Sequence, residues 1–214
     1  MRLKDWFKTG AFHAFTAIAG SIAYGVMMYM MGVEGSFADL LWIAVVYLMT
    51  FGAFMSIVLI MSVQKQNLPL ALSFGSTRKE AFWGMQCYRV VYMVLIMSAA
   101  AVLAMLTGED GAEMAVAFLS IGVTAMLVMG SFGSVIGIAG LKFGKGVMIA
   151  IGVVSGVLLV AMLIGCVFLV LLLSDEALDL SGWMIWLLPA AGVVLHIGSM
   201  VLEHRTIYKY NVKL

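Results

Sequence analysis

Residues 40–64 read LLWIAVVYLMTFGAFMSIVLIMSVQ and contain no charged side chain. A helix rises about 1.5 Å per residue, so a run of this length can cross a hydrocarbon core about 30 Å thick. Other uncharged runs lie on both sides of it, at 9–33, 90–108, 114–141, 146–174 and 180–202. Even the shortest of them is long enough to span a bilayer. The pattern therefore predicts six membrane-spanning helices.

The charged residues separate onto two sides of this six-span arrangement. One side collects all 12 basic residues: Arg2, Lys4, Lys8, Lys65, Arg78, Lys79, Arg89, Lys142, Lys145, Arg205, Lys209 and Lys213. The other side collects most of the acidic ones: Glu34, Asp39, Glu109, Asp110, Glu113, Asp175, Glu176 and Asp179. Lys and Arg mark the cytoplasmic loops of membrane proteins. We therefore expect an all-α integral membrane protein with both termini in the cytoplasm.

The runs and the charges together divide the chain into one transmembrane domain over 1–214. We place its spans at about 11–33, 39–63, 84–106, 113–140, 147–173 and 184–202. The cytoplasmic loop 64–81 is the only sizeable connection on the basic side. Residues 1–10 carry Trp6 among basic residues, which suits a short interfacial helix leading into the first span.

Composition excludes several classes of protein. The chain is 64% hydrophobic and 11% charged, whereas a soluble domain carries roughly 25% charged residues. No basic cluster is dense enough to indicate nucleic-acid binding, and the two cysteines show no zinc-site spacing. The glycine-rich stretch GLKFGKG at 140–146 lacks both the spacing and the Ser or Thr of a phosphate-binding loop. We expect no catalytic site, metal or cofactor on this chain.

The loop 64–81 carries the most specific pattern, QKQNLPLALSFGSTRKE at 64–80. Asn67 suits a helix N-cap with Pro69 in the first turn, so the pattern predicts a short helix at 68–74. Gly75 suits a left-handed stop, and Thr77 with Glu80 has the spacing of a capping box that opens the third span. The apolar residues of this short helix have little reason to face water. They suit either the membrane surface or a groove on another protein.

Residues 70–82, LALSFGSTRKEAF, resemble the first cytoplasmic loop of small bacterial ABC-2-type permeases. The resemblance implies a type V exporter-like transmembrane domain in a bacterial plasma membrane, paired with a second permease subunit. It also implies a separate ATPase subunit that binds ATP and Mg²⁺ and contacts this loop. The coupling residues it indicates are Leu70, Leu72, Phe74, Gly75, Thr77, Arg78, Lys79 and Glu80. The expected activity is export of a hydrophobic or amphipathic substrate such as a peptide.

Strips of small residues at helical spacing let two membrane helices approach closely. The first and fifth spans carry such strips, and the resemblance also points to these spans as the seam between two permease subunits. The candidate seam residues are Ala17, Ser21, Gly25, Gly152 and Gly156. For any one pair of glycines at this spacing taken alone, packing within one chain is the expected use.

Few ionisable residues fall inside the predicted spans, and His13 lies near the inner end of the first one. Arg89 lies about two turns into the third span, where snorkelling to the inner headgroups is expected and a cavity-facing position is the alternative. His196 lies deeper, in the sixth span, and suits either a packed histidine or a polar contact with a proton or substrate. A non-ABC transporter, a channel, or an immunity or assembly factor remains the alternative function.

Overall fold

The computed structural model describes residues 3–31, 36–107, 109–143 and 182–209, together with 146, 150, 153 and 154. Regular structure in these ranges is helical throughout. The helices are α1 (Leu3–Met30), α2 (Phe37–Ser62), α3 (Leu68–Ser73), α4 (Arg78–Met105), α5 (Glu109–Phe143) and α6 (Gly182–Lys209), with a π-helical turn at Val63–Asn67 between α2 and α3.

Five of these helices are long and apolar enough to cross a membrane. They are α1, α2 with its continuation to Ser73, α4, α5 and α6. This confirms the all-helical class and indicates a multi-pass membrane protein. The predicted span at 147–173 lies almost wholly outside the described residues, so the count of six stays a prediction. The cytoplasmic placement of the termini stays a prediction as well.

The predicted N-cap at Asn67 is wrong, because the chain does not leave the helix there. Asn67 has helical dihedrals (φ −78°, ψ −32°) and makes no capping bond, and α2 runs through the π-helical turn into α3. The Leu68 N–H bonds to the Val63 carbonyl, one residue further back than in an α-helix. Pro69 explains the wider turn. Its ring crowds the carbonyl four residues earlier and it has no N–H to donate.

The far end of α3 is closed as the sequence predicts. Gly75 has φ +82°, a left-handed conformation that glycine adopts without strain. The Ser76 N–H bonds to the Ala71 carbonyl at 2.9 Å and the Gly75 N–H to the Leu72 carbonyl at 3.2 Å, the two bonds of a Schellman motif. Only Phe74 separates this glycine from the end of the helix, so α3 stops abruptly in a rigid elbow.

Both predicted halves of the capping box at the start of α4 are present. The Thr77 N–H donates to Glu80 Oε2 at 2.8 Å, and the Glu80 N–H donates to Thr77 Oγ1 at 3.2 Å. Ser36 and Asp39 make the same reciprocal pair at the start of α2. Each box satisfies backbone donors that the first helical turn leaves free, so it fixes where the helix begins.

The helices pack in neighbouring pairs around α2. This helix contacts α1, α4 and α5, while α6 packs chiefly on α5 and touches α4 less. We call the buried residues shared by α1, α2, α4 and α5 the apolar core: Ala14, Ala17, Val45, Leu48, Met49, Ala53, Ile57, Tyr92, Ile96, Ala100, Ala104, Met126, Met129 and Ile136. α5 approaches α2 closely because residue 133 is glycine. A Cβ atom at Gly133 would lie 2.8 Å from the Ile57 carbonyl oxygen, which is too close for a side chain to fit.

The start of α1 is not a separate interfacial helix. Residues 3–10 continue α1 without a break, and Trp6 is fully buried. Its indole occupies the space that a side chain at Gly84 would need, on the first turns of α4. The sequence did not reveal this notch in α4, and the interfacial placement of residues 1–10 stays a prediction.

The small-residue strip of α1 packs within the chain. Ala17, Ser21 and Gly25 are all buried, and a Cβ on Gly25 would lie 3.5 Å from the Ala44 side chain of α2. Within one chain, the strip therefore packs against α2 at Gly25. The other two seam residues, Gly152 and Gly156, lie outside the described residues, and the dimer seam stays a prediction.

Candidate functional site

The short helix α3 has one buried and one exposed face. Leu68 and Ala71 are almost completely buried, whereas Leu70 is 52% exposed and Phe74 is 80% exposed. Leu72 is partly buried against the residues that anchor the helix. The helix is therefore fixed to the bundle by one side and presents apolar side chains on the other.

A groove of about 530 Å³ adjoins this exposed face. Its apolar walls are Leu3, Phe74 and Trp83, and its polar part includes Lys79 and Glu80. Five of the predicted coupling residues are exposed at or beside it: Phe74, Gly75, Arg78, Lys79 and Glu80. Thr77 is also exposed and holds the elbow through its capping box. The structure thus brings most of the predicted coupling residues onto one surface.

Sequence reasoning missed two walls of the groove. Leu3 is 58% exposed and Trp83 is 54% exposed. Leu3 is the first residue of α1, whereas Trp83 lies in the second turn of α4. Trp83 follows the resembling stretch directly and could have been included from its position. Leu3 had no such signal, because its approach to α4 depends on the packing of Trp6 over Gly84.

A second site is a buried polar cluster that the sequence indicated only through Arg89. The Arg89 guanidinium forms an ion pair with the Glu203 carboxylate of α6, and both side chains are buried. Gln64 of the π-helical turn donates to the same carboxylate, and Gln86 of α4 donates to its second oxygen at 2.8 Å. Ser134 of α5 accepts from Gln64 and from Arg89, each at 3.1 Å. We call these five residues the Glu203 cluster.

The Glu203 cluster is close to self-sufficient in hydrogen bonds. Taking two charges out of water costs several kcal/mol per ion, and mutual attraction offsets this only when other donors complete the site. Here the Glu203 carboxylate accepts from three side chains. Charge-assisted bonds of this kind are roughly twice as strong as neutral ones. The arrangement explains why Arg89 does not snorkel: its counter-ion lies inside the bundle.

A glycine on α5 makes room for this cluster. A Cβ at Gly137 would collide with the Gln64 amide, which fills the space beside the glycine. The side-chain oxygen of Gln64, Oε1, is buried without a hydrogen-bond partner among the described residues. The side-chain nitrogen of Gln64 is therefore held by its hydrogen bonds to Glu203 and Ser134, whereas the side-chain oxygen is held by none.

The cluster adjoins a small cleft between α2, α4, α5 and α6. Its volume is about 40 Å³, enough for a water molecule, and Arg89, Ser56 and His196 are among its lining residues. His196 Nδ1 is buried and lacks a partner within the described ranges. At the α1 side, Tyr88 also lines the cleft and hydrogen-bonds to His13 Nδ1 at 2.9 Å. The structure thus places both predicted intramembrane polar residues at one cleft.

The partners of Arg89 were missed for identifiable reasons. Glu203 ends the sixth uncharged run and Gln64 ends the second, so both were assigned to the water-exposed loops. The available signal was spacing. Glu203 follows His196 by two helical turns and shares its face, while Gln86 precedes Arg89 by three residues.

No protein-family model, curated protein or solved structure matches this chain. In the described ranges, no group of three or more His, Cys, Asp or Glu residues could hold a metal ion. A functional assignment therefore rests on the geometry of the two sites and on the resemblance of residues 70–82.

Proposed function

We propose that this chain is the permease subunit of an ATP-driven ABC-2-type transporter, coupled to a separate ATPase through residues 64–81. The observation that carries the proposal is the exposed apolar surface of Leu70 and Phe74 on a helix anchored by Leu68 and Ala71. An exposed aromatic on a rigid elbow, beside an apolar groove with charged residues, suits a docking surface.

The anchoring of α3 supports a mechanical role for the docking surface. α3 joins α2 through a continuous helical turn, and its elbow is closed by the Schellman motif and the capping box. A displacement applied at Phe74 is therefore transmitted to α2 and α4 rather than absorbed by a flexible loop. ATP binding on the partner drives the change only through different affinities for the two conformations.

The remaining parts of the proposal follow from the resemblance. ATP and Mg²⁺ bind to the ATPase subunit, and a second permease subunit completes the membrane part in a bacterial plasma membrane. The direction is export, and the substrate is hydrophobic or amphipathic, such as a peptide.

A secondary transporter is the second candidate, and the Glu203 cluster is the observation that favours it. Intramembrane ion pairs commonly mark substrate or proton pathways in such transporters. This candidate needs no ATPase partner, so the two functions differ in a property that can be measured directly.

The test isolates the chain from native membranes in a mild detergent and assays the purified material for ATP hydrolysis and for the identity of the hydrolysing subunit. We expect an ATPase subunit to co-purify with the unaltered chain. The Phe74→Ala variant and the Arg78→Glu/Lys79→Glu variant should lose it while still inserting into the membrane. Phe12→Ala is the matched control, because Phe12 on α1 is likewise an exposed phenylalanine, with 68% of its surface accessible.

Two results would contradict the proposal. An unaltered chain that purifies without any ATP-hydrolysing subunit, yet transports in liposomes under an ion gradient, supports the secondary transporter instead. Full ATPase recovery and transport in both elbow variants would exclude this surface as the coupling site.

A further inference from the structure

The Glu203 cluster joins elements that otherwise have limited contact. α6 packs chiefly on α5, and the Arg89–Glu203 pair ties its inner end to α4. Arg89 also lines the cleft between these helices. Opening the pair would therefore weaken the tie between α6 and α4 beside the cleft, which also includes the Gln86–Glu203 hydrogen bond and the contact between the Phe82 and His204 rings.

We propose that the Arg89–Glu203 pair is a latch that closes this cleft, and that Gln64 is the positioning residue that links the latch to α3. The inference deepens the proposed transport function. It rests on the proposed function only for the cause that moves α3, which is the ATPase partner. The link from α3 to the ion pair is made by residues of this chain alone.

The position of Gln64 is what suits it to this role. It lies in the π-helical turn, directly before α3, and its amide nitrogen bonds to both Glu203 and Ser134. No flexible residue separates it from Leu68, the buried anchor of α3. Wide helical turns of this type often occur at functional sites, since they can shift register at small cost. A shift of this turn moves the Gln64 amide and removes a donor from the carboxylate.

Gln86 provides a matched comparison within the same cluster. Its amide also donates to the Glu203 carboxylate and is also buried, but it belongs to the regular part of α4. Each glutamine donates to one oxygen of the carboxylate, and each makes one further bond: Gln64 donates to Ser134, and Gln86 accepts from Arg89 at 3.5 Å. They differ in whether they are continuous with α3. Only Gln64 should transmit movement of the coupling segment.

Gly137 provides a way to move the Gln64 amide without any partner protein. A Cβ at this position would collide with that amide and displace it, as a shifted turn would. Gly122 lies about four turns earlier on α5 and does not line the cleft. A Cβ there would meet only the flexible side chains of Met49 and Met97, at 3.0–3.4 Å. Gly122→Ala is thus a control for alanine substitution on the same helix.

The experiment uses the whole chain alone in lipid nanodiscs. The native cysteines are replaced (Cys87→Ser, Cys166→Ser), and Ser56→Cys supplies a reporter thiol at the cleft, where Ser56 is 3% exposed. The measured quantity is the rate of reaction with a small water-soluble thiol reagent. We expect Gly137→Ala to raise this rate about tenfold or more, because local opening exposes the reporter. Gly122→Ala should change it by no more than about twofold.

The decisive arm repeats Gly137→Ala in a Gln64→Ala background. We expect no further increase over Gln64→Ala alone, because the side chain that the new methyl group displaces is absent. An equal acceleration with and without the Gln64 side chain would overturn the proposal, since it would mean general loosening of the bundle. Glu203→Gln should also accelerate labelling. If the Glu203→Gln variant were labelled at the same rate as the unaltered chain, the latch would be excluded. This conclusion holds even if the glycine variants fail to fold.

A second arm separates this inference from the proposed function. In the complex with an ATPase, Gln64→Ala should retain hydrolysis and lose most transport. Gln86→Ala should lose less transport per ATP, because it removes a donor from the same carboxylate without breaking the link to α3. Equal losses in both variants would exclude the special role of Gln64. If labelling changes as expected and no ATPase partner is found, the latch stands and the ABC assignment fails. If an ATPase partner is found and labelling does not change, the ABC assignment stands and the latch fails.

Discussion

The apolar core and the Glu203 cluster hold overlapping sets of helices together by different means. The core joins α1, α2, α4 and α5 through side chains such as Leu48, Ile96 and Met126, which make no directional bonds. The cluster joins α2, α4, α5 and α6 through one ion pair and the hydrogen bonds around it. In a bilayer, lipid tails are as apolar as these core side chains, so burial itself gives little preference for one packing arrangement. The cluster, in contrast, is satisfied in only one arrangement of the four helices.

The largest expected effect comes from removing one member of the ion pair. Arg89→Leu leaves the Glu203 carboxylate buried without its counter-ion, which should lower the free energy of unfolding by about 4 kcal/mol. The measurement is reversible unfolding in mixed micelles. The double variant Arg89→Leu/Glu203→Leu is the control, because it removes both charges and should regain most of the loss. A double variant as unstable as Arg89→Leu would show that the charges are not coupled.

A smaller effect is expected in the apolar core. Ile96 is fully buried, and Ile96→Ala should cost about 2 kcal/mol in the same assay. This is below the usual cost in a water-soluble protein because only the lost packing contributes where lipid is the alternative environment. Ile96→Val should cost less than half as much. A loss equal to that of Arg89→Leu would remove the distinction between the two regions.

The smallest effect is expected at Tyr92, where the two regions meet. Its hydroxyl donates to the Gly52 carbonyl at 3.2 Å, and its ring stacks against Tyr88 with centroids 6.5 Å apart. Tyr92→Phe removes only the hydrogen bond, so we expect a loss of about 0.6 kcal/mol, an average value for such bonds in membrane helices. Tyr92→Leu, which also removes the ring, should cost more. If Tyr92→Phe alone cost several kcal/mol, the polar region would extend further than the Glu203 cluster.

The two regions also differ in how far the sequence predicts them. Long uncharged runs and capping spacing are local signals, and they placed α2, α4 and the Thr77–Glu80 box close to where the structure has them. The elbow at Gly75 was likewise predictable from a single glycine. The Glu203 cluster was not, because its members come from four elements that are distant in sequence. Hydropathy also assigned Gln64 and Glu203 to the loops, since each follows or ends an apolar run.

Where prediction failed locally, a neighbour in space was responsible. Asn67 has the side chain of a helix cap, but the continuous turn into α3 leaves it no end to cap. Ala17, Ser21 and Gly25 have the spacing of a contact strip, which is correct, but spacing does not say which helix fills it. The partner of such a strip depends on the order in which the helices pack around α2.

The burial of Trp6 against Gly84 has a consequence for biosynthesis. Chains emerge from the ribosome starting at the amino end, so α1 enters the bilayer well before the helix that carries Gly84 has been made. Until then the indole has no pocket in α4 to fill, and the first helix is held only by lipid and by α2. Nascent chains halted short of residue 84 should therefore leave Trp6 open to quenchers of its fluorescence, and those extended past α4 should protect it.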